Sequence, residues 1–276
     1  MTLSCVRAPE SFRPFRRPAL VVGHPGHELK VFGWMSEHRP LVHVLTDGSG
    51  RLGISRLPST ARLLARTGAR SGEVFGTLSD AEMYRALLEK NTPLFLDIIH
   101  TIAVSLVQHE IDFVAGDASE GFNPTHDICR VLMNGAVALA ERTSGRVISN
   151  YEFCLTEWEQ HCQERHDSRC MHVWLADELL RQKLDAAEGY AEMRDEVRQA
   201  IAQRGEEHFR IECLRKFSDP PAPSHDSDKP FYETWGEQRV AQGQYGAVIR
   251  LNEHMLPVMQ AIRNRVTAAD LSTSSV

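Results

Sequence analysis

Three times in its first half this chain runs a short apolar stretch straight into a polar, turn-rich loop, and that recurrence restricts the fold more than any other feature of the sequence. Ala19-Leu-Val-Val follows Pro18 and breaks at Gly23-His24-Pro25-Gly26; Leu41 to Leu45 runs into Thr46-Asp47-Gly48-Ser49-Gly50; Ile111 to Ala115 ends in a loop from Gly116 to His126. Short apolar runs bounded by Gly and Pro read as buried strands. Between the second and third, Ser79 to Gln108 carries apolar residues at helical spacing, interrupted near Pro93, which predicts two helices, and a further helix is predicted from about Asp127 to Glu141. Strands alternating with helices imply an α/β fold whose parallel sheet is covered on both faces, with ligands at the carboxyl ends of the strands. All three polar loops fall at that edge.

The second half is less strictly patterned. Leu175 to Gln203 is rich in helix formers and reads as one long helix or a helix pair, Ser218 to Pro230 as a Pro-rich surface linker, and Val248 to Ile262 as a helix. We therefore expect residues 1–217 to form one metal-binding α/β domain and residues 218–276 a linker and C-terminal appendage packed on it, because so short a tail seldom holds its own core.

Composition narrows the function classes. A formal charge of -6 over 276 residues lacks the basic excess that phosphate backbones require, so no nucleic-acid partner is expected. No apolar run is long enough to span a bilayer, so no membrane partner is expected either. The arginines at positions 7, 13, 16 and 17 precede no apolar leader segment, and the start reads as cytoplasmic. Six cysteines without CxxC spacing in a chain of this size read as reduced thiols.

The chemistry concentrates in histidines. His24-Pro25-Gly26-His27-Glu28 sets two imidazoles three residues apart directly after a buried strand, within reach of one ion if the chain turns helical there. His126 closes the set from a neighbouring strand end, and three protein ligands with one open position is the arrangement of a catalytic zinc. A second group, His161, Cys162, His166, Cys170 and His172, matches no common zinc module and, interleaved with acids and arginines, reads as a solvated surface first, then a substrate loop, then a second metal site. In the tail, Lys229 to Arg239 mixes aromatic and charged residues in a way that suits either a lid over a polar ligand or ordinary packing. Residues 50–76 are the expected site of substrate-specific loops.

Gly23-His24-Pro25-Gly26-His27-Glu28, Thr46-Asp47-Gly48 and Asn123-Pro124-Thr125-His126 resemble the motifs of the LmbE-like (PIG-L) zinc deacetylases, which read Ala-His-Pro-Asp-Asp-Glu, Thr-Asp-Gly and His-Pro-Asp-His. The resemblance covers roughly residues 19–190. It implies a Rossmann-like, mostly parallel sheet with zinc at the strand ends, held by His24, His27 and His126. Two departures bear on mechanism: the carboxylate taken as general base in that family falls on Gly26, and its auxiliary histidine on Asn123. A carboxylate ligand also becomes His27, which leaves the ion its full charge and favours a more acidic bound water.

Three carboxylates are candidates for the missing base: Glu28 beside a ligand, Asp47 at the neighbouring strand end, and Glu120 in the His126 loop. Glu28 serves equally well as a partner that orients a ligand histidine, and Asp47 as a turn former. The leading expectation is a zinc-dependent, deacetylase-like hydrolase of an amide or related C–N bond in a small polar metabolite. Two alternatives stand beside it, a metal-dependent lyase or redox enzyme, for which iron or another divalent transition metal would serve, and a metal-anchored binding protein without turnover. Homo-oligomerisation is left open.

Overall fold

A computed structural model describes residues 17–50, 53–156, 170–218 and 229–268. Among these, seven strands form one sheet: β1 Pro18–Val22, β2 Leu41–Thr46, β3 Arg70–Leu78, β4 Phe113–Asp117, β5 Ser149–Phe153, β6 Cys170–Trp174 and β7 Ile211–Lys216. Their order across the sheet is β3-β2-β1-β4-β5-β7-β6. The pairs from β3 to β5 are all parallel, whereas β7 lies antiparallel to both β5 and β6. The fold is α/β with a mostly parallel sheet, as the strand-and-loop recurrence indicates.

Among the described residues the helices are α1 Phe32–His38, α2 Leu57–Thr67, α3 Asp80–Leu88, α4 Thr92–Gln108, α5 Pro124–Ser144, α6 Asp177–Glu188, α7 Arg194–Arg204, α8 Phe231–Ala241 and α9 Leu256–Ala268. A 3-10 turn, His27–Val31, links the first histidine loop to α1. Alternate residues of the central strands feed two cores. Ala19, Val21, Leu45 and Val114 pack with α3, α4, α5 and α9 on one face; Leu20, Val22, Val44 and Ala115 pack with α1, α2 and α6 on the other. Every residue of β1, β2 and β4 is buried, as a strand covered on both faces requires. Val258, Ile262 and Val266 of α9 join the first core, so the C-terminal segment packs on the same sheet layer.

Several boundaries differ from the sequence reading. Residues 50–76 hold α2 and most of β3 rather than only loops; β3 is an edge strand whose polar residues Arg70, Ser71, Glu73 and Thr77 are exposed, which hides it from a search for apolar runs. Leu175 to Gln203 resolves into the pair α6 and α7. The third strand ends at Asp117, two residues beyond the expected Ala115, and α5 starts at Pro124 rather than near Asp127. Both shifts bear on the site. Most of the expected linker, and His161, Cys162 and His166 of the second His/Cys group, lie outside the described residues. Cys129, Cys154, Cys170 and Cys213 are buried, and no described helix is long and apolar enough to cross a membrane.

One core position carries a pH dependence. His43 on β2 is fully buried against α4, where Ser105 Oγ lies 3.3 Å from Nε2 and the Val74 amide donates to Nδ1 at 3.4 Å. Burial, opposed by nearby Glu73 and reinforced by His109, pushes its pKa down to about 4. Because the unfolded chain binds this proton near pH 6.5, stability is complete above that pH and falls as the pH drops toward the folded value. Acidifying from about pH 7.5 to about pH 4 should cost about 3 kcal/mol through His43 alone. Urea unfolding of the wild type beside His43→Gln checks this: the variant should lose correspondingly less stability over that range, and parallel profiles would refute the assignment.

Candidate metal centre

The three sequence-selected histidines meet at the carboxyl edge of the sheet. His24 follows β1, His27 opens the 3-10 turn, and His126 sits in the first turn of α5. Their rings are mutually edge-on, with centroids 5.3 Å apart for His24 and His27, 5.4 Å for His24 and His126, and 4.5 Å for His27 and His126. Close approach of the loops is built into the chain. Gly23 passes so near β4 and α5 that a Cβ there would lie 3.2 Å from Asp117 Oδ2 and 3.3 Å from the Thr125 carbonyl. The Thr46 amide and hydroxyl both donate to the Gly23 carbonyl, at 3.1 Å each, tying the end of β2 to the same loop.

Hydrogen bonding fixes two of the tautomers. His24 Nδ1 lies 2.8 Å from Thr46 Oγ1 and 3.0 Å from Asp80 Oδ1. Thr46 spends its hydroxyl proton on Gly23, and Asp80 remains a carboxylate. Burial raises the Asp80 pKa, but hydrogen bonding and charge from His24, with the Gly50 amide on Oδ2, outweigh it and hold the group well below the usual range. His24 Nδ1 must therefore be the donor, leaving its Nε2 a lone pair. His27 Nδ1 likewise faces Asp117 Oδ2 at 2.8 Å, which makes it a donor to that carboxylate. The His126 pKa is pushed well down, first by burial and then by the neighbouring His27 and His24.

Two of these imidazoles have one ring nitrogen held by a carboxylate, an arrangement that suits a cation at the opposite nitrogen. Among the described residues His24 Nε2 and His126 Nδ1 are buried without a hydrogen-bond partner, as is Asp117 Oδ1, and buried polar atoms are rarely left so. The donor chemistry fits a transition-metal ion. Among the described residues, however, no group of three or more His, Cys, Asp or Glu side chains is arranged to hold an ion as it stands. The three rings are gathered donors rather than a formed coordination sphere.

The other sequence candidates occupy different positions. Glu28 is fully buried beneath the turn; its Oε2 accepts from the Gly26 amide at 2.7 Å and its Oε1 from the Tyr190 hydroxyl. Burial raises its pKa against those bonds. Asp47 Oδ1 accepts from the Ser49 amide at 2.9 Å, closing its loop. Glu120 accepts from the amides of Leu155 and Thr156, at 2.8 and 3.0 Å, holding the chain after β5. The carboxylates that touch the histidines are instead Asp80 and Asp117, which the sequence reading missed. Asp80 reads in sequence as an ordinary helix start behind its Ser79–Glu82 capping box. Asp117 falls outside a strand ended at Ala115, although a Gly-Asp pair directly after an apolar run was a usable signal.

Gly26, where the resemblance places a base, has φ 105°, a conformation that favours glycine, and a Cβ there would stand 2.5 Å from Met193 Sδ. The space of the missing carboxylate is therefore taken by a side chain from the α6–α7 connection. On the other flank the tail element reaches the site: Phe122 lies 6.4 Å from His126, ring to ring, and stacks on Phe231 of α8 at 4.9 Å and 2°. Arg239 sits over the Trp235 ring at 3.8 Å, while Arg250 pairs with Glu233 and Glu237. Cys129 turns away from the histidines, its buried thiol against the Val21 carbonyl.

No family model and no curated protein matches the chain. Among solved structures it is similar to the A40926 pseudoaglycone deacetylase Dbv21, at 16% identity and TM-score 0.48, over 75% of this chain and 99% of that one. A triple mutant of a deacetylase of the teicoplanin biosynthetic pathway is similar at 12% identity and TM-score 0.49, over 76% and 100% of the two chains. The conserved protein TT1542 from Thermus thermophilus is similar at 17% identity and TM-score 0.47, over 76% and 97%.

Proposed function

We propose that this chain is a metal-dependent hydrolase, deacetylase-like, that cleaves an amide or related C–N bond of a small polar metabolite, with zinc held by His24, His27 and His126. The observation that carries the reading is the cluster of three edge-on imidazoles at the strand ends, two backed by Asp80 and Asp117, with His24 Nε2 and His126 Nδ1 buried and unpartnered. Zinc bound there would supply a Lewis acid for the scissile carbonyl and lower the pKa of a water.

The chain's own residues do the remaining work. Asp80 and Thr46 keep the proton of His24 on Nδ1, and Asp117 does the same for His27, so both present lone pairs at Nε2 without reorganisation. Hydrolysis also needs a group that accepts a proton. Glu28 and Glu120 have both oxygens engaged, whereas Asp117 keeps Oδ1 buried and unbonded beside His27. Asp117 is the base this arrangement favours, with Asp47 next. The Phe122–Phe231 pair would border the substrate on the α8 side.

Metal content is the direct test. Wild-type protein should carry about one zinc per chain after zinc loading and dialysis, and His24→Ala/His126→Ala none, measured by plasma emission. Turnover of N-acyl amino sugars and amino acids by the loaded protein would then define the substrate. A wild type that retains no more metal than the double variant would overturn the centre.

A further inference from the structure

Gly26 also borders a cavity of about 260 Å³ lined by none of the three histidines and walled by Leu29, Leu184, Val197, Ile201, Phe209 and Ile211. It is roofed by α7, a helix with no buried residue, whose Val197, Ala200 and Ile201 form an apolar stripe at helical spacing turned toward the cavity. An apolar stripe that faces a void forgoes the burial that normally fixes a helix in place. Lys30 and Lys183 also line the space, with Glu196 and His208.

The two lysines are not equivalent. Lys183 is paired with the buried carboxylate of Glu212, at 2.9 Å. Among the described residues the Lys30 ammonium has no hydrogen bond or ion pair, although the Lys30 carbonyl accepts from Lys183 at 3.4 Å. Burial, together with the charges of Lys183 and Arg204 and against those of Glu120 and Cys154, lowers its pKa to about 8. At neutral pH it is thus mostly a cation, lining a largely aliphatic cavity in which Glu196 is the one carboxylate among the described lining residues. An unpaired ammonium so placed is costly unless an anion joins it.

We propose that this cavity binds an aliphatic monocarboxylate, its chain along the α7 stripe and its carboxylate on Lys30. The volume suits a chain of about ten carbons, since a cavity of about 150 Å³ takes up benzene with its six. A neutral head would leave the ammonium unpaired, and a cationic head would be repelled by Lys30. This site is separate from the histidine centre, needs no metal, and is read out by binding rather than turnover.

Titration calorimetry of the full chain with decanoate, decan-1-ol and acetate tests the assignment. Decanoate should bind at least about ten-fold more tightly than decanol, and acetate should give no measurable heat. Lys30→Met should remove the preference for decanoate over decanol, and Ala200→Trp, which fills the cavity, should abolish binding of both. Ala202→Trp, a second substitution on α7 at a residue outside the cavity lining, should leave binding unchanged and so reports on folding. Equal affinity for decanol, acetate binding as tight as decanoate, or decanoate binding that survives Ala200→Trp would each overturn the proposal, as would the absence of decanoate binding.

Discussion

Asp117→Asn is expected to weaken zinc affinity by about 10- to 100-fold and to lower turnover by about two to four orders of magnitude, while leaving the chain folded. One carboxylate oxygen, Oδ2, accepts from both the Gly23 amide at 2.7 Å and His27 Nδ1 at 2.8 Å. An asparagine has one carbonyl oxygen and one NH2. If the oxygen stays on Gly23 and His27, the NH2 takes the place of Oδ1 and can accept no proton. If the amide turns over, its NH2 opposes His27 Nδ1–H, the ring must switch tautomer, and Nε2 loses its lone pair. Either arrangement weakens the metal, the first by removing the negative charge behind His27 and the second by removing its lone pair, and the first also removes the base. Competition with a chromophoric chelator measures affinity without any substrate, and kinetics on a substrate found with the loaded wild type measures the rest. Turnover within about ten-fold of wild type would remove Asp117 as the base, and unchanged zinc affinity would remove it as the partner of His27.

What the sequence made legible followed from where its information is local. The ends of β1 and β2 are marked by Gly, Pro and Asp beside apolar runs, so the edge that holds His24 and His27 could be read directly. His126 was legible because Pro124 announces a helix start, and its N-cap, Asn123, does hold the Thr125 amide at 2.8 Å. Asp80 was not, because its approach to His24 spans 56 residues and depends on β3, an edge strand whose exposed polar residues carry no apolar period. The antiparallel insertion of β7 between β5 and β6 was hidden for a similar reason: its partners lie far apart in the chain and obey no short-range turn rule. Glu28 shows the converse difficulty. Its place next to His27 suggests chemistry, but the turn buries it under Tyr190, where it holds the Gly26 amide in the φ 105° conformation that lets Met193 pack against the loop.

Arg130→Met is expected to destabilise the protein by about 3–5 kcal/mol, since it removes one charge from a buried network and leaves its partners unmatched. The Arg130 side chain is buried on α5, one turn after His126. Its Nε donates to the Asp117 carbonyl at 2.6 Å, Nη2 to the carbonyls of Gly116 and Tyr151 at 2.7 and 3.2 Å, and Nη1 to Asn150 Oδ1 at 3.1 Å. Glu152 lies 3.8 Å from Nε and is shared with Arg215. The guanidinium thus closes the carboxyl ends of β4 and β5, where strand carbonyls run out of partners, and in doing so fixes the backbone of the residue that holds His27. Methionine fills much of the volume but satisfies none of three buried carbonyls, and it leaves Glu152 to Arg215 alone. Lysine keeps the charge but has no planar fork to serve carbonyls on two strands, so Arg130→Lys should recover only part of the loss. Urea unfolding at neutral pH orders the three proteins as wild type, Arg130→Lys, Arg130→Met, and a loss under about 1 kcal/mol for Arg130→Met would show that the strand ends are held by other means.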